Sequence, residues 1–455
     1  MLRKIALRVG FAALLLAPAA GAQTLDQTIG GCGGVAPERT IQATPSTYKA
    51  LLAGLKPGDR LLLAPGTYTQ QLVFSGINGL PNRCIVIEGP ATGTPAHFTG
   101  SDIFNTISLK NVSYLVFRNL SLDGLGRAGD GVKAEVGSTY AHHITLDNLK
   151  LVGYYGGNIN RCGINTKSRA WNWVVRRVQI ADAGVAMYFG KPDGTAEFVN
   201  SLIEHNLITG SKLYDLQIKH QTSRATTMGI PASGSTVIRH NVFSKEFGAA
   251  TGTYARPNVL IGHWPLSGAG ATDIYQVYGN LFYLNPTEAL FQGEGNIALH
   301  DNLFVQRSFA RTVRIQPHNN VPRRIEIFNN TIVGTGEGIL ITGASTSYPQ
   351  RVYGNAVFAT KPIAGGVQSG NITGAYAAAA QYLNNPGGSL TGGTLDLYPK
   401  SGMLEGSLLS LDALLTGLID ARMDFNGMSR LDTFRGAYSG DGVNPGWDPV
   451  LAVKQ

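Results

Sequence analysis

The stretch Tyr278-Gly-Asn280-Leu-Phe282 is one instance of a pattern that recurs along most of this 455-residue chain. In each instance an Asn follows Gly or a polar residue and leads into a short run that is mostly apolar. The position is held by Asn119, Asn148, Asn206, Asn241, Asn280, Asn302, Asn330 and Asn355, and Val178 fills the same place between Asn148 and Asn206. The spacings run from 22 to 39 residues. A recurring unit of about 20 to 50 residues is typical of a solenoid.

Within each unit the apolar residues alternate with period two, which indicates β-strands, and no unit has room for a helix. The sequence therefore predicts an all-β chain folded as a parallel β-helix, a single-stranded solenoid with three short strands per coil. Asn suits the turns because it tolerates left-handed backbone angles. Stacked Asn side chains can also hydrogen-bond from coil to coil. The two longest units carry insertions at 222–234 and 247–256, and such insertions form loops on one face of a solenoid.

A covering segment is predicted at each end of the β-helix. Pro45 to Leu55 has the pattern of an amphipathic helix with Ser46 as its N-cap. A capping helix here would cover strand groups that are otherwise unpaired at the first coil. Residues 376–455 change in composition, and we interpret them as a C-terminal cap and tail. The predicted domains are thus a signal peptide at 1–22, the β-helix at 23–375 and the cap at 376–455.

The first 22 residues have the pattern of a secretory signal peptide. Arg3, Lys4 and Arg8 precede a short apolar core, and Ala20-Gly21-Ala22 is a small-residue cleavage site. We therefore expect a secreted or periplasmic protein. No stretch is long and apolar enough for a membrane span.

Three Cys residues and a basic net charge limit the possible sites and partners further. In an oxidising compartment Cys32 and Cys84 are candidates for a disulfide, which leaves Cys162 as a buried odd residue. The three lack the close spacing of metal ligands. The formal net charge is +8, or +5 without the three basic signal residues, and this suits an acidic polysaccharide as partner. No Lys/Arg cluster indicates nucleic-acid binding, and we expect a monomer.

The candidate site lies in four strand-like segments between Leu213 and His318. We align Ile218 with Gly262, Phe291 and Ile315 as inward positions. Side chains alternate along a strand, so the next outward residues are Lys219, His263, Gln292 and Gln316, with His220, Glu294, Arg314 and His318 one position along or back. If the coils stack, these residues form one polar stripe. The insertions add Arg224 and Arg256 beside it, and Trp264 offers an aromatic surface to a sugar.

Two runs near the N-terminus resemble a known family. They are Gly58-Asp-Arg-Leu-Leu-Leu-Ala-Pro-Gly-Thr-Tyr68 and Gly79-Leu-Pro-Asn-Arg-Cys-Ile-Val-Ile-Glu-Gly89. They are similar to the opening of right-handed parallel β-helix polysaccharide lyases, the group that includes alginate lyases and chondroitinase B. The resemblance extends over roughly residues 40–375 and implies a right-handed β-helix. It also implies proton transfer by a Lys on one coil and an Arg on a neighbouring coil, beside an Asn/Glu cluster that binds Ca²⁺.

Residue roles follow from this resemblance. Lys219 matches the lysine by its position on the strand, His263 stands where the next coil should offer Arg, and Arg314 has a comparable context two coils later. We therefore expect these three residues to be catalytic. We expect the substrate to be bound by His220, Arg224, Arg256, Trp264, Gln292, Glu294, Gln316 and His318. Glu288 and Glu294 lack a clear Asn partner, so we expect no metal or other cofactor, with Ca²⁺ left open.

The sequence favours an exported enzyme that cleaves a uronate-containing acidic polysaccharide by β-elimination. Cations neutralise the sugar carboxylate and a basic side chain removes the C5 proton. A glycoside hydrolase would need paired carboxylates, and the stripe is poor in Asp. An epimerase shares the fold and the proton abstraction, but Gln316-Pro-His-Asn319 only echoes its Asp-Pro-His-Asp motif. A non-catalytic glycan-binding or surface β-helix would show aromatics without convergent cations.

Overall fold

The structure is a computed structural model that describes residues 24–454. The predicted signal peptide at 1–22 lies outside these residues. Strands pair in parallel from coil to coil and form three faces around a common core, which confirms the predicted parallel β-helix. Each coil visits the first, second and third face in turn. No helix among the described residues is long and apolar enough to cross a membrane.

The strand bounds define the three faces. The first face contains Arg39–Ala43, Asp59–Leu63, Ile85–Glu88, Val112–Arg118, Ala141–Asp147, Ala170–Trp171, Val174–Arg176, Phe198–Val199, Leu202–Glu204, Ser235–Arg239, Ile274–Tyr278, Ile297–His300, Ile325–Phe328, Gln350–Tyr353 and Val367–Ser369. The second contains Gly66–Tyr68, Ala96–Thr99, Leu120–Asp123, Lys150–Tyr154, Gln179–Ala183, Leu207–Thr209, Val242–Ser244, Leu281–Tyr283, Leu303–Gln306, Thr331–Ile341, Ala356–Ala364 and Ile372–Gly374. The third contains Leu72–Ser75, Ile107–Lys110, Val132–Ala134, Cys162–Thr166, Val185–Phe189, Leu216–Ile218, Val259–Ile261, Phe291–Gly293 and Val313–Ile315. The long strands Thr331–Ile341 and Ala356–Ala364 continue from the second face into the third.

Helices are few and short. The α-helices are Leu25–Gly30, Tyr48–Leu51, Ala379–Tyr382 and Asp412–Leu415, and the 3₁₀ helices are Leu52–Gly54, Thr227–Gly229, Gly252–Tyr254 and Tyr376–Ala378. The inward residues of all three faces are apolar and buried, and their rings stack along the axis, as Phe282 does on Phe304 at 4.5 Å between centroids. Burial of each such side chain contributes about 1.5–3 kcal/mol, so the inward pattern is the main source of stability.

A buried ladder of Asn side chains follows one corner of the coils. The backbone N–H and the Nδ2 of Asn241 both donate to Oδ1 of Asn280, each at 2.9 Å. The same pair of bonds links Asn206, Asn241, Asn280, Asn302, Asn330, Asn355 and Asn371 in sequence. The predicted coil-to-coil bonding of Asn is therefore confirmed for these residues.

The two N-terminal Asn residues of the repeat were misaligned by one position. Strand register pairs Arg118 with Asp147 and Asp147 with Arg176, so Asn119 and Asn148 are level with Arg177, and not with Val178. All three have left-handed backbone angles, with φ between 53° and 57°. The left-handed residue directly precedes the ladder position, and Asn fits either place, which is why the repeat pattern alone did not separate them.

The N-terminal end is covered by a helix that is shorter than predicted. It begins at Tyr48, and Thr47 takes the N-cap position in place of Ser46. Residues before Tyr48 form a separate turn in which the Thr44 N–H donates to Thr47 Oγ1 at 2.9 Å. The Tyr48 ring closes the core against Phe98 at 5.8 Å between centroids. Cys32 and Cys84, the two candidates for a disulfide, form one. Cys162 is free and buried, as predicted.

Residues after Gly374 turn back along the outside of the coils. An antiparallel pair, Leu383–Asn385 with Asp396–Pro399, leads into a segment that packs on the corner between the first two faces. There Asp420 accepts a hydrogen bond from the Tyr278 hydroxyl at 2.9 Å, and Lys454 Nζ donates to the Gly279 carbonyl at 2.9 Å. The third face is left open by this segment.

Candidate active site on the third face

The outward residues of the third face form one continuous row. Strand register joins Lys133, Asn165, Tyr188, Gln217, Leu260, Gln292 and Arg314. The insertion at 222–234 follows the third-face strand Leu216–Ile218, and the insertion at 247–256 precedes Val259–Ile261. They therefore border the third face on opposite sides, as predicted.

The predicted alignment of the four segments was wrong in two of them. Ile218 pairs with Ile261, Gly293 and Ile315, whereas Gly262 and Phe291 had been placed in this row. The actual inward residues of the second segment are Val259 and Ile261, both fully buried. Lys219 is consequently level with Gly262, Glu294 and Gln316. In the second segment the error is one residue, which exchanges the two faces of the strand. In the third segment it is two residues, so Phe291 faces inward as predicted and only its level is wrong.

Lys219 lies at the centre of a basic and aromatic cluster. Its Nζ lies 5.4 Å from the centroid of the Tyr188 ring, and Lys167 Nζ lies 4.8 Å from the same centroid. Burial is the main factor that lowers the pKa of Lys219 below 10.5, and the charges of Arg256 and Lys167 lower it further. A base for neutral or mildly alkaline pH needs such a shift, because an ordinary Lys is protonated there.

Glycines flank Lys219 on both neighbouring coils. Gly190 and Gly262 are level with it, since the Lys219 N–H donates to Phe189 O at 2.9 Å and the Gly262 N–H donates to Ile218 O at 2.8 Å. A Cβ on Gly262 would lie 2.2 Å from the backbone nitrogen of His220, and one on Gly190 would lie 3.2 Å from the Lys219 Cβ. Neither neighbouring coil places a side chain level with Lys219, which leaves the amine open to a ligand.

Arg256 is held near Lys219 by bonds to its own backbone. The fully buried Lys245 ammonium donates to the Arg256 carbonyl at 2.9 Å and the Pro257 carbonyl at 3.1 Å, and also contacts the Leu213 carbonyl. Asn285 Nδ2 donates to the same Arg256 carbonyl at 2.9 Å. Burial raises the pKa of Tyr214, and the neighbouring Arg256 guanidinium opposes that shift. The Arg256 Nη1 donates to the Thr253 and Ala255 carbonyls at 2.9 and 2.7 Å. The base of the insertion is thus fixed, and the Arg256 charge acts on both Lys219 and Tyr214.

Glu294 shapes the other side of the Lys219 site. Its Oε2 accepts hydrogen bonds from three consecutive backbone N–H groups, those of His318, Asn319 and Asn320, at 2.9, 2.6 and 3.0 Å. Glu294 therefore anchors a loop and is not a free acid. Burial lowers the pKa of His220, with the charge of Glu294 acting in the opposite direction. Lys219, His220, Glu294 and His318 line one small pocket.

Three predicted site residues are buried away from the open face. Both ring nitrogens of His263 contact backbone carbonyls, Nε2 with Val321 O at 2.9 Å and Nδ1 with Trp264 O. No nitrogen is left to take a proton from a substrate. The Trp264 ring is buried and stacks on Tyr275 at 4.1 Å, so it offers no surface to a sugar. Arg224 is buried in an ion pair with Asp273 at 2.8 Å. The outward placement of these residues was wrong.

Arg314 and Gln292 do face outward but lie further along the axis. Arg314 is three coils from Gln217, and neighbouring strands are about 4.8 Å apart, which separates the Arg314 strand from that of Lys219 by about 14 Å. Lys219 and Arg314 therefore do not meet at one atom of a substrate. Gln316 is half-buried and His318 is exposed.

Sequence reasoning missed Lys167, Tyr188 and Tyr214. The first two lie on coils that precede the four aligned segments. Met187 pairs with Ile164 and with Leu216, so extending the alternation backwards from Leu216 would have placed Tyr188 in the outward row. Among residues 24–454, no three His, Cys, Asp or Glu side chains lie close enough together to hold a metal ion. The expectation about metal stays a prediction.

Comparison with known proteins finds no matching family model and no matching curated protein. Several solved structures are similar. A lacto-N-biosidase from Eubacterium ramulus has a TM-score of 0.47 at 12% identity, over 74% of this chain and 68% of that one. An alginate lyase has a TM-score of 0.42 at 13% identity, over 80% of this chain and only 55% of that one. A mannuronan C-5 epimerase module from Azotobacter vinelandii has a TM-score of 0.39 at 13% identity, over 76% and 93%. With such scores, the activity of this chain has to be argued from its own residues.

Proposed function

We propose that the third face binds an acidic polysaccharide and cleaves it by β-elimination, with Lys219 as the base. The observation that carries this proposal is the state of Lys219. It is a partly buried amine whose pKa is lowered by burial, Arg256 and Lys167, and glycines on both neighbouring coils leave it open. A cationic cluster that both lowers the pKa of a base and attracts an anion is what proton abstraction next to a carboxylate requires.

The charge of the whole third face fits a polyanion. Cations lie along it at Lys133, Lys167, Lys219 and Arg314, which span six coil steps or about 29 Å, and Lys133 is paired with Glu135 at 3.9 Å. The nearby carboxylate of Glu294 already accepts three backbone hydrogen bonds. An extended acidic chain that runs parallel to the coil axis would meet these cations in succession.

In the proposed reaction, Arg256 and Lys167 bind the carboxylate of a uronate unit beside Lys219. Neutralising that carboxylate makes the C5 proton more acidic, and the neutral Lys219 amine takes the proton. The electron pair of the C5–H bond forms the C4–C5 double bond, and the C4–O bond breaks. The leaving oxygen takes a proton from water at the open face. Tyr188 supports Lys219 as a neutral phenol, since burial raises the pKa of Tyr188.

The carboxylates near Lys219 do not suit a glycoside hydrolase. Such an enzyme needs two carboxyl groups that face the same sugar linkage. Asp215 is fully buried, and Glu294, the carboxylate on the Lys219 pocket, is committed to backbone N–H groups. Asp193 is exposed near His220 but accepts hydrogen bonds from Thr195 and has no free carboxyl partner on that pocket. An epimerase would share Lys219 and the proton abstraction, and would differ in leaving the C4–O bond intact. The product therefore separates the two reactions.

The test is incubation of the purified mature protein with alginate, polygalacturonate, chondroitin sulfate and heparin. Elimination creates a C4–C5 double bond, which absorbs in the ultraviolet. We expect absorbance to rise with at least one polymer, and Lys219→Ala to slow that rise by about 10²–10⁴-fold, the usual contribution of a general base. A matched control is Lys150→Ala, an exposed strand Lys on the second face, which should retain full activity.

Each other outcome has a distinct meaning. New reducing ends without ultraviolet absorbance would indicate hydrolysis and refute the proposal. A changed sugar configuration without cleavage, detected by proton NMR, would indicate epimerisation at the same base. Binding without any product would indicate a non-catalytic glycan-binding β-helix. Equal activity of Lys219→Ala and Lys150→Ala would refute the role of Lys219 as the base.

A further inference from the structure

The C-terminal end of the third face carries an exposed aromatic ring over an open depression. Phe309 is 92% exposed, the largest value among the exposed apolar side chains of the described residues. The depression has a volume of about 300 Å³ and lies between Phe309, Arg311, Glu337 and Lys361. Phe309 is a single exposed ring and not an apolar patch, so its meaning depends on the charged groups around the depression.

Cations exceed carboxylates around this depression. Arg311 Nε lies 2.9 Å from Glu337 Oε2, and Lys361 Nζ lies 3.9 Å from the other oxygen of the same carboxylate. Arg314 lies close enough for the charges of Arg311, Glu288 and Glu337 to act on it. Its Nε is buried without a hydrogen-bond partner among the described residues, so a ligand could reach only the two terminal nitrogens of the half-buried side chain. Three cations thus face two carboxylates, Glu337 and Glu288, and only Arg311 and Lys361 are paired with Glu337. The terminal N–H groups of Arg314 form no ion pair with either carboxylate, and these groups are available to a ligand. Arg binds a carboxylate through two parallel N–H donors, which suits a uronate.

The position of the depression decides which part of a ligand it can reach. The Arg314 strand is about 14 Å from the Lys219 strand along the axis. That distance is too great for contact with the sugar unit whose proton Lys219 removes. It is reachable for another unit of the same chain, provided that the chain follows the row of cations.

We propose that Phe309, Arg311 and Arg314 form a distal subsite for a uronate unit of an acidic oligosaccharide. This inference rests on the proposed function for its choice of ligand. Phe309 stacks on the apolar face of the sugar ring, and the two guanidinium groups bind the carboxylate. The subsite adds affinity for long chains and none for chains that fill only the positions at Lys219.

The test compares binding of short and long oligosaccharides to the full mature protein. The probes are the trimer and the octamer of both oligoguluronate and oligogalacturonate, measured by calorimetry on Lys219→Ala so that nothing is cleaved. Phe309→Ala and Arg314→Ala should each weaken octamer binding about tenfold, equivalent to about 1.4 kcal/mol, and leave trimer binding unchanged. The control is Phe104→Ala, which removes a ring that is 54% exposed on a loop four coils from Lys219 in the other direction.

Failure of the subsite is separable from failure of the reaction. Equal octamer binding by Phe309→Ala and its parent would overturn the subsite, whether or not the wild-type protein produces unsaturated sugar. An equal loss for trimer and octamer would also overturn it, since the ring would then act through the site at Lys219. Tenfold loss for the octamer alone, in a protein that shows no elimination, would support the subsite and refute the lyase reaction. If no probe binds even the parent protein, the uronate subsite is wrong.

Discussion

Replacing Lys245 with Met tests how the insertion at 247–256 is attached to the coils. Met has a similar length and no charge. The ammonium of Lys245 is fully buried and reaches the backbone carbonyls of Leu213, Arg256 and Pro257. Burial lowers the pKa of Lys245 to about 8, and the neighbouring Asp215 charge opposes that shift. Lys245 is therefore mainly charged at pH 7 and depends on these partners.

The expected loss of stability follows from what the substitution leaves behind. The Arg256 carbonyl keeps its bond from Asn285 at 2.9 Å, whereas the Leu213 and Pro257 carbonyls lose their side-chain donor. A buried polar group without a partner costs about 1–3 kcal/mol. Burial raises the pKa of Asp215 to about 7, and the Lys245 charge opposes that shift. Without Lys245 the Asp215 carboxyl therefore takes up a proton at pH 7, and the loss comes mainly from the two carbonyls. We expect Lys245→Met to lower the free energy of unfolding by about 4 kcal/mol.

Urea unfolding at pH 7 measures this loss as a lower midpoint with an unchanged m value. The double variant Lys245→Met/Asp215→Asn should lose about as much, because a protonated Asp215 adds little to the loss at pH 7. Lys150→Met, at an exposed position of the second face, is the matched control. A loss below about 1 kcal/mol, the lower end for one buried polar group without a partner, would refute the clamp. The clamp would also be refuted if stability fell by the expected amount but the pH dependence of activity did not change, since Arg256 would then keep its place without Lys245.

Three further outcomes test the site and the fold. Activity should rise with pH as the Lys219 amine loses its proton, with a midpoint set by the lowered pKa of Lys219. Arg256→Gln should move this rise to higher pH, because it removes a cation that lowers this pKa. A pH–rate profile whose rising part is the same in the variant and the parent would contradict the role of Arg256. Asn280→Ala should lower the free energy of unfolding in urea by about 3 kcal/mol, because it leaves the buried Asn241 N–H without an acceptor. The control Asn148→Gly loses one exposed hydrogen bond to Asn119 at 2.8 Å and should lower it by under about 1 kcal/mol. Cys84→Ser should lower the free energy of unfolding by about 2–4 kcal/mol, as expected for opening a loop with a sequence separation of 52; an equal midpoint for the mutant and the oxidised parent would contradict this.

Much of the architecture could be predicted from local patterns. The recurring Asn and the period of two specify parallel coils, because each repeat must place its apolar residues inward and its turn residue in the same corner. The buried ladder from Asn206 to Asn371 confirms that inference. The insertions could also be located, since an increase in repeat length identifies the coil that carries a loop.

The candidate site could be predicted only in part. Lys219 was found because the apolar and polar residues before it alternate unambiguously. Ile218 can only face inward, so Lys219 must face outward. His263 follows Ile261-Gly262, where Gly satisfies either face, and the register there was misjudged by one residue. Arg224 and Trp264 were misplaced because their partners are distant in sequence. Asp273, which pairs with Arg224, and Tyr275, which stacks on Trp264, lie on another coil. Nothing near those residues in the sequence indicates that their side chains are buried.

By itself the sequence determined the coil, its repeat, its inward residues and the face that carries the insertions, because these depend on short-range periodicity and turn chemistry. Only the tertiary structure decided which polar residues share that face. Lys167, Tyr188 and Lys219 come together because three successive coils stack about 4.8 Å apart, and Arg256 joins them because Lys245 and Asn285 hold its backbone. The lowered pKa of Lys219 is a property of that stack, since the burial and the neighbouring charges that lower it are supplied by residues distant in sequence.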